Sequence, residues 1–264
     1  MRIGVIGLGN MAKAIIGGIV ASDKEKKYSI IGADPVEECR KEAVSKYGIE
    51  ATSNNEEVVK AADILLLAVK PQFLKEAIAP VAGKIPADCI VISIIAGKNI
   101  AYLEKEMRQD VKLVRCMPNT PALVCESCTG VCRNALVTDD EFEIAMEIVR
   151  SFGKAIEVSE SMMDAVCGVS GSAPAYVFMF IEAMADAAVY EGMPRQKAYE
   201  FAAQAVMGSA KLMLETGKHP GELKDMVCSP GGTTIEAVKI LEEKGLRSAV
   251  MDAVVACTEK SKKL

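Results

Sequence analysis

The sequence predicts an α/β half followed by an all-helical half. Short β-rich runs alternate with amphipathic stretches over residues 1–160, which is the pattern of parallel strands joined by crossover helices. From Met162 onward the strand-like runs disappear, and segments rich in Ala and Met remain, with Gly and Pro between them, as in a helical domain. We therefore expect one domain at residues 1–160 and a second at residues 161–264.

The α/β half is expected to contain strands wherever short β-rich runs occur. These runs lie at residues 2–6, 29–33, 64–69, 89–93, 112–117 and 155–158. Helices are expected between them, at residues 11–21, 36–47, 55–61, 72–81, 100–107 and 139–151. Asp139, Asp140 and Glu143 suit the start of the last of these helices, because carboxylates there meet unpaired N–H groups. In the helical half we expect helices at residues 162–170, 173–191, 195–215, 221–226, 233–244 and 246–262.

One predicted helix, at residues 173–191, is apolar on nearly every face. Val177, Phe178, Met179 and Phe180 follow one another without a polar residue. A helix that is hydrophobic all round must be buried. A partner subunit would bury it in so small a domain, but a central core helix has the same pattern. Both interpretations stand at this point.

Composition argues against several classes of function. The formal net charge of −5 is unlike that of a nucleic-acid-binding protein. The nine cysteines suit buried thiols in a reducing compartment, and the run of Cys125, Cys128 and Cys132 lacks the further ligands of a metal site. Apolar runs such as 63–69 are too short to span a membrane, and no signal peptide precedes the first strand. We expect a cytoplasmic protein with no metal and no membrane partner.

A glycine-rich turn follows the first predicted strand and opens a helix. Its sequence, GLGNMA at residues 7–12, matches the dinucleotide-binding pattern in the strand–turn–helix context that makes this pattern specific. Gly7 allows the tight turn, Gly9 lets the backbone approach the pyrophosphate, and Ala12 allows close packing of the helix on the strand. The helix N-terminus then offers N–H groups to an anionic ligand. We therefore predict a dinucleotide site.

The second predicted strand ends at Asp34, where the adenosine ribose is expected. Its carboxylate suits an unmodified ribose diol and repels a 2′-phosphate, which favours NADH. Asp34-Pro35 is equally typical of an ordinary turn, and the basic loop nearby is able to accommodate a phosphate. The preference between NADH and NADPH stays open.

Four further segments stand along the chain: AVKP at residues 68–71, RCMPNTP at 115–121, GVSGSAPAY at 168–176 and SPGGTT at 229–234. Together with the glycine-rich turn, they resemble pyrroline-5-carboxylate reductases over essentially the whole chain. The resemblance implies a Rossmann-type N-terminal domain followed by an all-helical C-terminal dimerisation domain. It also implies a homodimer through the C-terminal helices, with a decamer of such dimers as a further expectation. The implied reaction is hydride transfer from NADPH or NADH to 1-pyrroline-5-carboxylate, giving L-proline in the last step of its biosynthesis.

The resemblance also implies roles for individual residues. Glu160 and the loop from Ser229 to Thr234 would face the substrate, and the resemblance allows this loop to come from the partner subunit. Met226 stands where some members have Asn, and Ala173 stands where many have Gly, which puts a minor substrate contact in doubt. The residues implied for the cofactor are Ile6, Gly7, Leu8, Gly9, Asn10 and Met11 at the pyrophosphate, Asn55 near the adenosine, and Ala68, Val69, Lys70, Pro71, Ile94, Ile95 and Ala96 along the rest of the cleft.

The chemistry of imine reduction suits a chain with one histidine. The nicotinamide supplies the hydride, and the imine nitrogen can arrive protonated, so no general base is required. Gly231 and Gly232 expose N–H groups, and Thr233 and Thr234 add hydroxyls where a helix begins, which together suit a carboxylate. We predict that Thr234 hydrogen-bonds the ring nitrogen or the carboxylate and that Ser229 orients the loop; an ordinary helix N-cap is the alternative.

Three other residues have two interpretations each. Asn119, between two prolines, either shapes a rigid loop beside the nicotinamide or is a turn residue without a ligand. Lys70 either touches the cofactor or caps the sheet edge. His219 lies in a turn before a helix and is expected to be exposed or to cap that helix rather than to act in catalysis.

Two other functions compete with imine reduction. A β-hydroxyacid dehydrogenase would share the glycine-rich turn and the helical half, but it needs a proton-transfer residue that we do not find. A dinucleotide-binding regulator would have kept the fold and lost the chemistry.

Overall fold

A computed structural model describes residues 1–108 and 110–263 of the chain. They form two compact units, one comprising Met1–Ser172 and the residues from Cys257 onward, the other comprising Ala173–Ala256. The first unit extends past residue 160 because the segment that follows folds back onto the sheet: Met163 is fully buried. The last helix also returns to this unit, where Ser261 Oγ donates to Asp164 Oδ1 at 2.7 Å. The division into domains at residues 160 and 161 stays a prediction.

The first unit is built on an eight-stranded sheet of order β3-β2-β1-β4-β5-β6-β7-β8 among the described residues. The strands are β1 (Arg2–Ile6), β2 (Ser29–Ala33), β3 (Glu50–Thr52), β4 (Ile64–Leu67), β5 (Ile90–Ser93), β6 (Lys112–Met117), β7 (Ser127–Arg133) and β8 (Gly153–Glu157). The first six strands are parallel, in the order of a Rossmann fold. The expected Rossmann-type domain is confirmed.

Helices connect these strands in the first unit. They are α1 (Asn10–Ser22), α2 (Glu37–Tyr47), α3 (Asn55–Ala61), α4 (Leu74–Ile78), α5 (Ile100–Met107), α6 (Asp139–Arg150) and α7 (Met163–Val166). Short 3-10 turns lie at Pro71–Phe73, Thr120–Val124 and Glu160–Met162, and one π-helical turn lies at Cys167–Gly171. The helix expected at residues 72–81 is therefore shorter than predicted.

Two strands were not predicted, and one of them changes the topology. β7 pairs antiparallel with β6 and parallel with β8, so the expected pattern of parallel strands does not extend to the pairing of β6 with β7. β7 reads SCTGVCR, which lacks the run of branched apolar residues that marks a strand in sequence. β3 has three residues, none of them buried, and is too short to give a pattern.

Apolar layers cover both faces of the sheet. The layer that contains α1 and α6 includes Ile3, Val5, Val114 and Phe142, and the layer that contains α5 includes Leu65, Val91, Leu113 and Met117. Since successive side chains of a strand point to opposite faces, Arg115 on β6 shares a face with Leu113 and Met117. That placement brings a charged residue into an apolar layer.

The second unit is helical in all its regular structure among the described residues. Its helices are α8 (Ala173–Tyr190), α9 (Arg195–Thr216), α10 (Pro220–Val227) and α11 (Thr233–Glu243), and α12 (Leu246–Ser261) begins there and ends in the first unit. α8 packs against α9. The helical half is thus as expected.

The apolar helix α8 is largely exposed in a single chain. Ala185 is its one buried residue, while Phe178 is 65% and Met179 is 70% exposed. The interpretation of α8 as a central core helix is therefore wrong for the isolated chain. The helical run Glu160–Tyr190 is long and apolar enough to cross a membrane by length and composition alone. The sequence-based expectation of no spanning helix rested on shorter apolar runs.

Candidate active site

Three predicted cofactor segments meet at the carboxyl edge of the parallel strands. The ends of β1, β4 and β5 lie side by side, with Ile6 paired to Leu67 and Leu67 to Ser93. The loops that leave these ends are joined by backbone bonds, from Ala68 N to Ile6 O at 2.9 Å and from Ile94 N to Leu67 O at 3.1 Å. Ligands of open α/β sheets bind at this edge, so the arrangement suits the predicted site.

Gly7 is required by close packing of the chain. Its φ is 93°, in the region that favours glycine. A Cβ at this position would lie 2.9 Å from the carbonyl oxygen of Ala68, which is closer than van der Waals contact allows. Ile6 and Leu8 on either side are almost completely buried, so their side chains pack inside the protein, and contact of either residue with a cofactor stays a prediction.

Gly9 faces open space at the start of α1. It is the N-cap of that helix, and a Cβ built on it would meet no heavy atom within 4 Å. Asn10 and Met11 form the first positions of the helix, where N–H groups have no partner within the helix. An anionic group can therefore reach these donors without side-chain obstruction, and the residues present fit a pyrophosphate.

Asp34 supports the glycine-rich turn with its carboxylate. Oδ2 accepts from Leu8 N at 2.8 Å, and Oδ1 accepts from Val36 N at 2.9 Å. The half-buried Arg40 donates from Nη1 to the carbonyls of Asp34 at 2.6 Å and Pro35 at 3.0 Å. An acid and a base thus stand together at the end of β2, where the adenosine ribose is expected.

The remaining predicted cofactor residues follow strands of the same sheet. Asn55 begins α3 and donates to Ala77 O at 2.9 Å. Lys70 is exposed and is the N-cap of the turn Pro71–Phe73. Val69 is half-buried beside Gly7, and a Cβ on that glycine would lie 2.9 Å from Val69 Cγ1.

Asn119 uses its side chain within the protein. Nδ2 donates to Ser170 O at 3.1 Å, and Oδ1 accepts from Cys128 N at 3.1 Å. The residue is 8% exposed. These bonds tie the loop after β6 to β7 and to the π-helical turn, as expected for a residue that shapes a rigid loop. Contact of Asn119 with a cofactor stays a prediction.

Glu160 is joined to two other elements of the first unit. Its Oε1 accepts from Arg115 Nη1 at 3.1 Å and from Ile100 N at 2.7 Å. The nearby thiol of Cys132 has its pKa raised to about 11, mainly by burial and then by the Glu160 carboxylate, with Arg115 acting in the opposite direction. No role was predicted for Arg115, which lies in the RCMPNTP segment; its position inside the apolar strand KLVRCM is the sequence feature that indicates one.

The predicted substrate loop lies in the second unit. Gly231 has a φ of 67°, and Gly232 N donates to Ser229 O at 3.0 Å. Gly232 is the N-cap of α11, and a Cβ on it would lie 2.3 Å from Ser229 Oγ. Thr233 and Thr234 form the first two positions of the helix, Thr233 exposed and Thr234 half-buried. The turn therefore presents helix N–H groups and hydroxyls without a side-chain cap of its own.

His219 caps a helix, and the cysteine run differs in exposure from residue to residue. His219 is the N-cap of α10, and its Nδ1 accepts from Gly221 N at 3.1 Å, which confirms the capping interpretation. Cys125 is exposed, Cys128 is half-buried and Cys132 is buried. No group of three or more metal-ligating side chains occurs among residues 1–108 and 110–263.

Two family models match the chain. The model described as pyrroline-5-carboxylate reductase dimerisation matches residues 160–264. The model described as NADP oxidoreductase, coenzyme F420-dependent, matches residues 2–97. The first covers the helical half, and the second covers the glycine-rich turn and the strands around it.

Known proteins resemble the chain over its full length. A pyrroline-5-carboxylate reductase of Escherichia coli K12 is 52% identical, with 100% of this chain and 98% of that protein covered. The corresponding protein of Methanosarcina acetivorans is 44% identical, with 100% and 97% covered. Among solved structures, the Plasmodium falciparum pyrroline carboxylate reductase with NADP bound has a TM-score of 0.89 and 31% identity, with 100% of this chain and 97% of that chain covered.

Proposed function

Because the chain belongs to the pyrroline-5-carboxylate reductase family, we propose that it reduces the C=N bond of 1-pyrroline-5-carboxylate and releases L-proline. Identity of 52% to a pyrroline-5-carboxylate reductase over the whole chain carries the proposal. The glycine-rich turn at the carboxyl edge of the sheet supports it from the structure. The chain is an NAD(P)H-dependent oxidoreductase in this proposal, and bound NAD(P)H supplies the hydride.

The first unit is proposed to hold the cofactor. The open space at Gly9 and the start of α1 would receive the pyrophosphate. The loops at 68–71 and 94–96 would lie along the rest of the molecule, because they leave neighbouring strands at the same edge. These segments would bind and orient NAD(P)H, and binding and orientation are the greater part of what a protein contributes to hydride transfer.

The second unit is proposed to hold the substrate carboxylate. The N–H groups at the start of α11 and the hydroxyl of Thr234 would bind it, with Ser229 holding the turn through Gly232. Thr234→Val should lower kcat/KM for the imino acid about tenfold or more, since a hydrogen bond to a charged group contributes roughly 1.5–3 kcal/mol. Thr234→Ser keeps the hydroxyl and should retain most activity. Equal activity of Thr234→Val and the unmodified protein would remove Thr234 from the site.

Cofactor preference is proposed to depend on Asp34 and Arg40. The Asp34 carboxylate suits a ribose diol, while the Arg40 guanidinium is able to neutralise a 2′-phosphate. With both present, we expect activity with NADH and with NADPH. Arg40→Met should raise KM for NADPH about tenfold and leave KM for NADH within about twofold, since one charge-assisted contact is lost. A parallel rise for both cofactors would show that Arg40 serves only the turn at Asp34.

One assay separates this function from its rivals. Oxidation of each reduced cofactor is followed with 1-pyrroline-5-carboxylate, with a six-membered cyclic imine and with an open-chain keto acid. We expect the five-membered imine to be reduced and the keto acid to remain unreduced, because we find no candidate in the sequence to transfer a proton to a forming alcohol. Preferred reduction of the keto acid would indicate a hydroxyacid dehydrogenase, and no oxidation with any substrate would indicate a regulator.

The family model for residues 160–264 is a dimerisation domain, and a homodimer through this region is part of the proposal. A decamer of such dimers and a cytoplasmic location rest on the family resemblance. Light scattering would distinguish these assemblies as multiples of the 28.1 kDa chain. A dimer that stays dispersed in buffer without detergent would indicate that the chain does not insert into a membrane.

A further inference from the structure

A charged side chain lies inside the apolar layer of the first unit. Arg115 is 4% exposed, on the face of β6 that also carries Leu113 and Met117. Its Nη1 donates to Glu160 Oε1, and its Nε is buried without a hydrogen-bond partner. Replacement of buried ion pairs by apolar residues is often neutral or stabilising, so stability alone does not account for an arginine at this position.

The partner carboxylate connects β6 to the start of a helix. The same Glu160 oxygen that accepts from Arg115 also accepts from the backbone N–H of Ile100. Ile100 is the first residue of α5, where a carboxylate is favoured by unpaired N–H groups and by the helix dipole. The side chain of Glu160 is 38% exposed, so the buried guanidinium limits the orientations that it would otherwise take.

The helix start that Glu160 holds is also the end of the loop that carries the predicted cofactor residues Ile94, Ile95 and Ala96. This loop, residues 94–99, leaves β5 at the carboxyl edge, where Ile94 N donates to Leu67 O. Its other end is fixed at Asn99, which caps α5 by accepting from Tyr102 N at 2.8 Å, and at Ile100. Gly97, with a φ of 71°, lies between the two fixed ends. The position of Ile95 and Ala96 therefore depends on where α5 begins.

We infer that Arg115 and Glu160 are positioning residues for the cofactor: Arg115 orients Glu160, and Glu160 holds the start of α5 so that the loop at residues 94–99 is placed to bind NAD(P)H. This inference rests on the proposed function for the identity of the ligand. It differs from the substrate-facing role that the family resemblance implies for Glu160. The shared oxygen of Glu160, engaged by two donors of the protein, is the observation that carries it.

Binding of NADPH without imino acid tests the inference directly. The dissociation constant is measured by the fluorescence of the reduced nicotinamide for the whole protein and four variants. Glu160→Ala should weaken binding about tenfold, the loss expected when one charge-assisted hydrogen bond is removed. Glu160→Gln should stay within about threefold, because its amide oxygen still accepts from Ile100 N. Arg115→Met should weaken binding, and Arg115→Lys should restore part of it.

A matched control separates positioning from general loss of stability. Thr138 caps α6, after β7 has run antiparallel away from the carboxyl edge. Thr138→Ala should lower the melting temperature without changing the dissociation constant of NADPH. An equal change in NADPH binding in this control would show that lost stability, rather than the position of the loop, explains the other variants.

Steady-state kinetics identify the result that overturns the inference. If Glu160→Ala binds NADPH normally but shows a raised KM for the imino acid, Glu160 is a substrate contact and not a positioning residue. If Glu160→Ala does not fold, Asn99→Ala removes the other bond at the start of α5, and unchanged NADPH binding in that variant also overturns the inference. If the variants show the expected NADPH affinities but the unmodified protein does not reduce the imine, the proposed function is rejected and the positioning inference is retained.

Discussion

Two glycines of the same turn have different physical roles, and substitution separates them. Gly7→Ala places a Cβ at 2.9 Å from a backbone oxygen at a φ of 93°, so it should destabilise the fold by about 1–3 kcal/mol and abolish cofactor binding. Gly9→Ala meets no heavy atom within 4 Å and should leave stability unchanged while weakening NADPH binding at least tenfold. Thermal unfolding and NADPH titration measure the two effects.

Either of two results would contradict these expectations for Gly7 and Gly9. Normal NADPH affinity in Gly9→Ala would mean that the open space beside the start of α1 is not where the pyrophosphate approaches. Unchanged thermal stability in Gly7→Ala would contradict the close contact with Ala68.

Burial also sets the reactivity of the thiols. It raises the pKa of Cys132 to about 11 and that of Cys89 to about 12, and it also raises the pKa of fully buried Cys116. Since the thiolate is the reactive form, these groups stay protonated and shielded at pH 8, whereas Cys125 is exposed. Iodoacetamide followed by peptide mass spectrometry should show Cys125 modified at least tenfold faster. Comparable labelling of Cys116 in the folded protein would refute the buried arrangement.

At the scale of elements, α6 shows how local sequence fixes a helix start. Thr138 Oγ1 accepts from Glu141 N at 3.3 Å, and Glu141 Oε2 accepts from Thr138 N at 3.0 Å, which completes a capping box. Thr138→Ala should lower the free energy of unfolding by about 1 kcal/mol, measured by urea denaturation. Thr138→Ser keeps the hydroxyl and serves as the control. Equal losses in both variants would assign the effect to the threonine methyl group.

The elements also show which parts of the fold sequence patterns can predict. β1, β2 and β6 lie where apolar residues concentrate, and their bounds agree with the prediction. β7 was not predicted, because its polar and small residues give no strand pattern and its place in the sheet is fixed by pairing with β6 and β8. Pairing between distant segments is a property of tertiary structure, which single-sequence patterns do not contain.

The residues of the candidate site also differ in whether their roles can be predicted from local sequence. Gly7 could be predicted because a tight turn before a helix demands a particular residue at a particular place. Arg115 could not be assigned a role, because its burial and its bond to Glu160 depend on segments 45 residues apart in the chain. Asp34 was predicted to face the ribose or to form an ordinary turn, and its bond from Val36 N is local and fits the turn. Its bond from Leu8 N forms only when β1 and β2 are brought together.

At the scale of the whole molecule, the second unit leaves a large apolar surface exposed in one chain. Phe178, Met179, Phe201 and Leu214 are each at least 65% exposed. Apolar area of this extent is characteristic of an interface, and the family model that covers the region is a dimerisation domain. The apolar composition of α8 is therefore explained by contact with a second copy more directly than by insertion into a membrane.

Charge placed on this surface should dissociate the dimer. Phe178→Glu puts a carboxylate where an apolar side chain would be buried by the partner, and an unpaired buried charge is strongly unfavourable. We expect light scattering to show a monomer, or a dimer weakened by at least a hundredfold. Leu136→Glu makes the same chemical change at an exposed residue of the first unit and should leave the assembly intact.

Such a monomer would separate cofactor binding from catalysis. The predicted cofactor segments all lie within the first unit, whereas the Ser229–Thr234 loop lies in the second. The family resemblance allows this loop to come from the partner subunit. Monomeric Phe178→Glu should therefore bind NADPH within about threefold of the unmodified protein but lose most of its imine reduction. Full kcat/KM in a verified monomer would show that one chain forms the complete active site, and loss of NADPH binding together with activity would show that the first unit itself depends on the dimer.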